Sequence, residues 1–533
     1  MTYSESRFLF GTRSDGYRII HSSMHPRKTK PIHRLNSENN LAGLCHSGVV
    51  VRSVNPARYP NYPYLPPAVY PEYGRLGRTI DASNEVYRGV RRIFADLGLD
   101  RDNLGTLQWN PLGAYVAPGQ RVVIKPNWVL HANQDDGSIE SLVTHTSIIR
   151  AVMDYLVLAL RGDGVIEIAD APLQNCDFDE LVRRTMIADV VTDYRQRFSG
   201  ISFSIMDLRK TTLQTRDLQV VGIARQFKQT GDPRGYSMID LASESMLSDV
   251  HHRFKRFRVA NYDHRLMHEH HNQDMHEYMV SNSILSADFM VNVPKLKFHI
   301  KAGITAALKN LVGINGNKEY LPHHTNSSPD RGGDQYWQRS QLKPLINRIY
   351  DDHWMHVNDR SQFGNMVSAV VLRILRKAAA VVDGDRMYDG AWSGNDTIPR
   401  TTLDLNHALY FYDCTENSLS DTSLRRVLHI VDGVIAGDGY GPLRPSATPA
   451  GVLLGGWNPL TIDVCVARLI GLEPMTVPLL NHGLTHARSR LNPMQLGADE
   501  ILVTDDGSRI RVEDMRRLAF RIPREWKAAA RAD

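Results

Sequence analysis

The feature that most constrains this chain is the recurrence of short β-branched runs, each followed by a segment with helical apolar spacing. Arg121 to Lys125 reads as a buried strand, Thr146 to Leu160 as a helix, Val165 to Ala169 as a strand, Phe178 to Val190 as a helix and Ile201 to Met206 as the next strand. After a long polar interval come strand Phe289 to Val293 and helix Lys301 to Leu311. The same grammar returns late, with Arg426 to Val431 and Gly451 to Leu454 as strands and Pro459 to Ile470 as a helix. Strands that alternate with helices predict an α/β fold, a mostly parallel sheet covered by helices on both faces.

At 533 residues the chain exceeds the size at which one compact core keeps growing, so one elaborated domain or two to three smaller ones are expected. Residues 1–80 read as an irregular extension rich in Pro, Tyr and Arg, with Pro56 to Tyr73 laid over a surface. A first α/β part is expected over 81–320, opening with a helix at Ser83 to Leu97. An inserted loop and helical region follows over 321–406, with its helix around Met366 to Ala380, and a second α/β part with a C-terminal tail over 407–533.

Composition excludes several classes. With 42% hydrophobic and 23% charged residues the chain is neither disordered nor collagenous. Lys and Arg exceed Asp and Glu only by 63 to 58, so no nucleic-acid partner is expected. The four cysteines, Cys45, Cys176, Cys414 and Cys465, include no Cys-x-x-Cys pair, so no iron–sulfur cluster is expected. Charges at Glu5, Arg7, Arg13 and Asp15 break any secretory layout, and no stretch is long and apolar enough to span a bilayer. The cytoplasm is the expected compartment, without a membrane partner.

In open parallel sheets, ligands bind beyond the carboxyl ends of the strands. The polar residues there are Lys125 and Asn127, Asp170, the run Lys295-Leu296-Lys297-Phe298-His299, and Asp432. If Leu296 and Phe298 point inward along an extended segment, Lys295, Lys297 and His299 share the opposite face and converge on an anion. A lysine whose pKa is depressed by neighbouring cations is also a candidate general base or Schiff-base former. On a helix, Lys301, Thr305 and Lys309 would form one stripe, with Asn310 beside it; Lys301 reads as a solvated basic residue.

Histidine is dense at His251, His252, His264, His268, His270, His271 and His276, and again at His323 and His324. Such density is compatible with metal binding or proton transfer, and equally with a polar loop. The pairs His270-His271 and His323-His324, with Asp170 and Asp432 from the strand ends, form the candidate metal set. Asp383 and Asp385 read as turn residues, and Gly433 to Gly441 as a turn or a flexible substrate loop.

These segments together resemble the domain-of-unknown-function 362 family. The resemblance rests on Val123-Ile124-Lys125-Pro126-Asn127, Thr144-His145-Thr146, Asp288 to Gly316, Leu321-Pro322-His323-His324, Asp330 to Asp334, Gly394 to Thr397, Leu403 to Asn406, Val431 through Pro442, Asn458-Pro459 and Asp463. It covers about Arg121 to Leu480 and implies a shared α/β core and a cytoplasmic bacterial or archaeal protein. Many relatives carry a ferredoxin-like segment with closely spaced cysteines, which this sequence lacks. The resemblance groups Lys125, Asn127, His145, Lys295, Lys297, His299, Lys309 and Asn310 as one site. Asn315, His323, His324, Asn395, Asp396 and Asp432 form a second tier.

The leading expectation is an enzyme binding an anionic, phosphate- or carboxylate-bearing small molecule, with its reaction class open. Lys295, Lys297, His299 and His145 are its candidate catalytic residues, and Lys125, Asn127, Lys309, Asn310, Asn315, Asn395 and Asp396 its substrate contacts. The alternative is a metal-binding accessory or redox-associated protein that holds a divalent cation through His270, His271, His323, His324, Asp170 and Asp432. A scaffold would instead leave the Lys-Leu-Lys-x-His run flat and exposed.

Overall fold

Five of the expected strands lie side by side and parallel; four are apolar runs buried on both faces, and the edge strand Ile201–Asp207 alternates buried and exposed residues. The computed structural model describes residues 42–74, 79–135, 137–215, 224–357, 359–384 and 388–530. The turn residue Asp385 and the first part of the expected N-terminal extension lie outside them. All of the described residues fall within one unit of the chain, 40–533.

Among the described residues the main sheet has eleven strands: Val49–Ser53 (β1), Arg121–Pro126 (β2), Gly164–Asp170 (β3), Ile201–Asp207 (β4), Phe289–Val293 (β5), Lys295–His299 (β6), Gly303–Thr305 (β7), Val427–Tyr440 (β8), Arg444–Gly456 (β9), Leu502–Asp505 (β10) and Ser508–Arg511 (β11). Across the sheet they run β11-β10-β1-β9-β8-β5-β2-β3-β4, and β8, β5, β2, β3 and β4 are mutually parallel. Alternation along each strand sends side chains to two separate cores. Val122, Ile124, Ile166 and Ile168 pack with helices Glu85–Asp96 and Thr146–Leu160 on one face. Val123, Met290, Val427 and Val431 pack with helices Thr397–Phe411 and Pro459–Leu469 on the other.

Several local expectations are corrected. The stretch before residue 80 is not wholly irregular, since β1 inserts between β9 and β10. The late block is not a βαβ repeat, because β8 and β9 form a long antiparallel hairpin. Gly433 to Gly441 is therefore strand and turn rather than a flexible loop, and its glycines have a packing reason. A Cβ on Gly437 would lie 2.6 Å from the Ser141 carbonyl and 2.8 Å from Lys297 Cγ, because β6 runs parallel to β8 with Lys297 opposite Gly437.

The helix expected from Lys301 to Leu311 is also replaced. Chain reversal at Gly303, where φ is +82°, makes β7 fold back antiparallel on β6, and only Ala307–Asn310 is α-helical. The helix expected over Phe178 to Val190 breaks at Met186, which adopts φ +56° between Phe178–Thr185 and Ile187–Arg197; nothing in the sequence marks that break. In the inserted region, helices Lys343–Met355 and Gln362–Val382 pack through Ile346, Leu372 and Ala379.

Candidate functional site

At the carboxyl ends of β2 and β3, and beside β6, lies a cavity of about 1190 Å³. Its floor is made of Asn127 and Trp128 after β2, Asp170 at the end of β3, Lys297 and His299 from β6, and Lys309, Asn310 and Gly313 after β7. Its far wall comes from Val259 to Tyr262 and from the inserted helices through Trp354, Arg376 and Ala380. Seven Lys and Arg residues line it against four Asp and Glu, so the lining is basic although the whole chain is nearly balanced.

Lys125 is fully buried, and its ammonium donates to Asp170 Oδ1 at 2.8 Å and to the Pro126 carbonyl at 3.1 Å. Asp170 also accepts from the Trp128 and Ala171 amides, so this ion pair fixes the turns after β2 and β3. Asn127 donates to Asn310 Oδ1 at 2.9 Å, and Asn310 donates to Asn292 Oδ1 at 2.7 Å. Beyond it Asn292 donates to His429, whose other nitrogen meets the Tyr410 hydroxyl. This buried chain of amides ties three strands together below the cavity.

The alternation read from Lys295-Leu296-Lys297-Phe298-His299 holds. Leu296 and Phe298 enter the apolar core, where each contributes roughly 2 kcal/mol by burial, and the polar residues face the other way. They do not form one site, however. Lys295 is sealed beneath the N-terminal segment, with Nζ 3.0 Å from Asp432 Oδ2 and donating to the Tyr59 hydroxyl. Tyr59 donates to Asp432 Oδ1 at 2.6 Å and stacks on His145 with ring centroids 3.8 Å apart. Burial, reinforced by Lys295, drives the His145 pKa down to about 3, and its amide donates to Asp432 Oδ2. Lys295, His145 and Asp432 are thus a closed structural cluster, and none of the three lines the cavity. Lys297 does line it, while donating to the Leu142 carbonyl at 2.5 Å.

Lys301, Lys309 and Lys318 have little compensation among the described residues. Neither Lys301 nor Lys309 has a hydrogen-bond acceptor among the described residues, and Lys318 reaches only the Val312 and Asn315 carbonyls, at 3.4 and 3.5 Å. Burial, with Lys318 and Lys301 nearby, lowers the Lys309 pKa to about 7; burial likewise lowers Lys318 to about 7, although Asp170 opposes it. Lys301, expected as a solvated residue, instead faces the cavity, where burial lowers its pKa and Asp389 and Asp334 oppose the shift.

His299 and His323 line the same cavity and are held neutral well below their ordinary pKa, first by burial and then by Lys309 and Lys301. Their hydrogen bonds select opposite tautomers. His299 Nδ1 accepts from the Lys301 amide at 3.1 Å, which leaves Nε2–H as a donor. His323 Nδ1 donates to the Leu321 carbonyl at 2.6 Å, which leaves the Nε2 lone pair as an acceptor.

The remaining expected residues are dispersed. Asn315 accepts from the Met279 amide and donates to the Asn317 carbonyl, while Asn395 donates to the His323 and Gly390 carbonyls. Asp396 pairs with Arg400 and His482 beside a separate hollow of about 180 Å³. His270 meets Glu277 at 2.6 Å, His271 meets the Tyr320 carbonyl at 2.8 Å, and neither they nor His324 line the cavity. Among the described residues, no three His, Cys, Asp or Glu side chains are grouped to hold a metal ion, so the proposed ligand set is not brought together. Tyr59 and Arg376 were not anticipated, and nothing in their local sequence distinguishes them from surface residues; Lys318 was noted only as a neighbour of the His323-His324 pair.

A model of the family described as "Domain of unknown function (DUF362)" matches residues 230–468. Those residues are a DUF362 domain. The DUF362 match takes in β5 to β8, the inserted helices and most of the lysine floor, while β2 and β3 lie before it. No curated protein matches the chain. A crystal structure of a Thermotoga maritima protein is 9% identical, with 70% of this chain and 56% of that one covered and a TM-score of 0.28. The chain therefore spans little more than half the length of that protein, and the likeness carries no argument.

Proposed function

We propose that this chain is an enzyme that binds a phosphate- or carboxylate-bearing small molecule in the cavity and moves a proton on it. The carrying observation is Lys309, whose ammonium faces the cavity without an acceptor among the described residues, with Lys301, Lys318 and Lys297 around the same space. Grouped cations in a low-dielectric hollow repel one another and lose hydration, and an anion reverses both effects at once. The aromatic wall of Trp354, Tyr262 and Tyr388 suits an organic body attached to that anion.

The two neutral histidines supply the proton chemistry. His323 Nε2 is the group able to accept a proton, and His299 Nε2–H is a hydrogen-bond donor able to hold a developing negative charge, from opposite tautomers in one cavity. The test is thermal melting and calorimetry against inorganic phosphate, sugar phosphates and di- and tricarboxylates. At least one class is expected to raise the melting temperature of the natural chain and not of Lys309→Ala. Silence across the panel, or an undiminished response in Lys309→Ala, overturns the reading.

A further inference from the structure

The outer side of helix Gln362–Val382 is apolar and uncovered. Phe363, Ile374 and Val381 are 70%, 61% and 84% exposed, and Met366, Val367 and Val370 complete the same stripe. The spacing from Phe363 follows the helical repeat, so the stripe runs along one side of a helix of 21 residues, roughly 30 Å long. The opposite side is fully used, with Leu372 and Ala379 packed on Ile346 and with Arg376 at the cavity wall.

The charges carried by the helix itself are of one sign, although Asp359 and Asp383 flank its two ends. Arg373 is exposed at its edge and Lys377 stands within it between Ile374 and Val381, and no Asp or Glu occurs from Gln362 to Val382. On the adjoining helix Arg348 and Leu345 are exposed, whereas Asp351 and Asp352 are paired with Arg258 and Arg360. We infer that this face docks on the surface of an anionic lipid bilayer, with the apolar stripe at the headgroup boundary and Arg373 and Lys377 among lipid phosphates. A second copy of the chain fits less well. An isologous contact would set the stripe against itself, with no carboxylate on either helix to meet Arg373 and Lys377. No helix among the described residues is long and apolar enough to cross a membrane, so the contact lies along the surface. The absence of a membrane-spanning run led to the expectation of no membrane partner, and such a run is a different signal from a one-sided stripe.

Flotation of the full chain with mixed phosphatidylcholine–phosphatidylglycerol vesicles tests this. The natural chain is expected to float with them, to be released by rising salt and to ignore pure phosphatidylcholine. The pair Arg373→Ala and Lys377→Ala should weaken binding by roughly fivefold per cation, and Val370→Glu with Ile374→Glu should abolish it while melting is unchanged. A natural chain that stays unbound from anionic vesicles, salt-insensitive binding, or a stable dimer split by Val370→Glu with Ile374→Glu would each overturn the proposal.

Discussion

Lys295 Nζ lies 3.0 Å from Asp432 Oδ2 with both side chains fully shielded from water, whereas Lys297, two positions along the same face, reaches the cavity. One strand thus delivers one lysine to structure and another to the site, and Tyr59 covers the first of them, its ring 5.0 Å from Lys295 Nζ. Removing either partner of the sealed pair strands a buried charge. Asp432→Asn is expected to lower unfolding free energy by about 3–5 kcal/mol, measured by chemical denaturation. The double change Lys295→Met with Asp432→Leu should recover most of that loss. A mild Asp432→Asn phenotype would show the pair to be hydrated.

Lys309→Met should separate binding from stability. The natural side chain is a half-buried cation without an acceptor among the described residues, so its removal is expected to raise the unfolding free energy of the ligand-free chain by about 1 kcal/mol, with a higher melting temperature, and to erase the anion response. A lower melting temperature would mean that Lys309 has a stabilising partner.

Proton linkage gives a third check. Lys309 falls from 10.5 to about 7 in the folded chain, and Lys318 does likewise. Between those pH values the unfolded chain binds more protons, so ligand-free stability should rise with pH across that window. An anion favours the charged ammonium, so binding near neutral pH should take up protons, and affinity should fall as pH rises above about 7. Calorimetry in buffers of different ionisation enthalpy measures the uptake directly; proton release on binding would contradict the assignment.

Gly313→Ala probes the floor. A Cβ there would lie 2.1 Å from Asp170 Oδ1 and 2.6 Å from Lys125 Nζ, so the pair must separate or the turn must move. The expected cost is about 3 kcal/mol, read by denaturation together with loss of the anion response. Full stability in this variant would show that the Lys125–Asp170 contact is dispensable.

The parallel strands and the in–out alternation of Lys295 to His299 were legible because burial on two faces and a period of two both leave a direct trace in residue order. Reversal at Gly303 was not, since Lys301 to Leu311 has acceptable helical spacing and the turn is held by distant partners, Trp526 and Val477, packed against Gly303. Lys301, Thr305 and Lys309 reach one cavity through that turn rather than along a helix. Asn315 and Asn395 show another limit: an amide that ties down a loop and one that binds a substrate look the same in sequence. The histidine pairs failed as a ligand set for a related reason, because adjacency in the chain sent each member to a different partner.

Helix Gln362–Val382 is at once part of the cavity's rim and part of the protein's outer skin, with Arg376 on one flank and Ile374 on the other. One helix thus sets both an edge of the cavity and the shape of the outer face, so its placement fixes the two together.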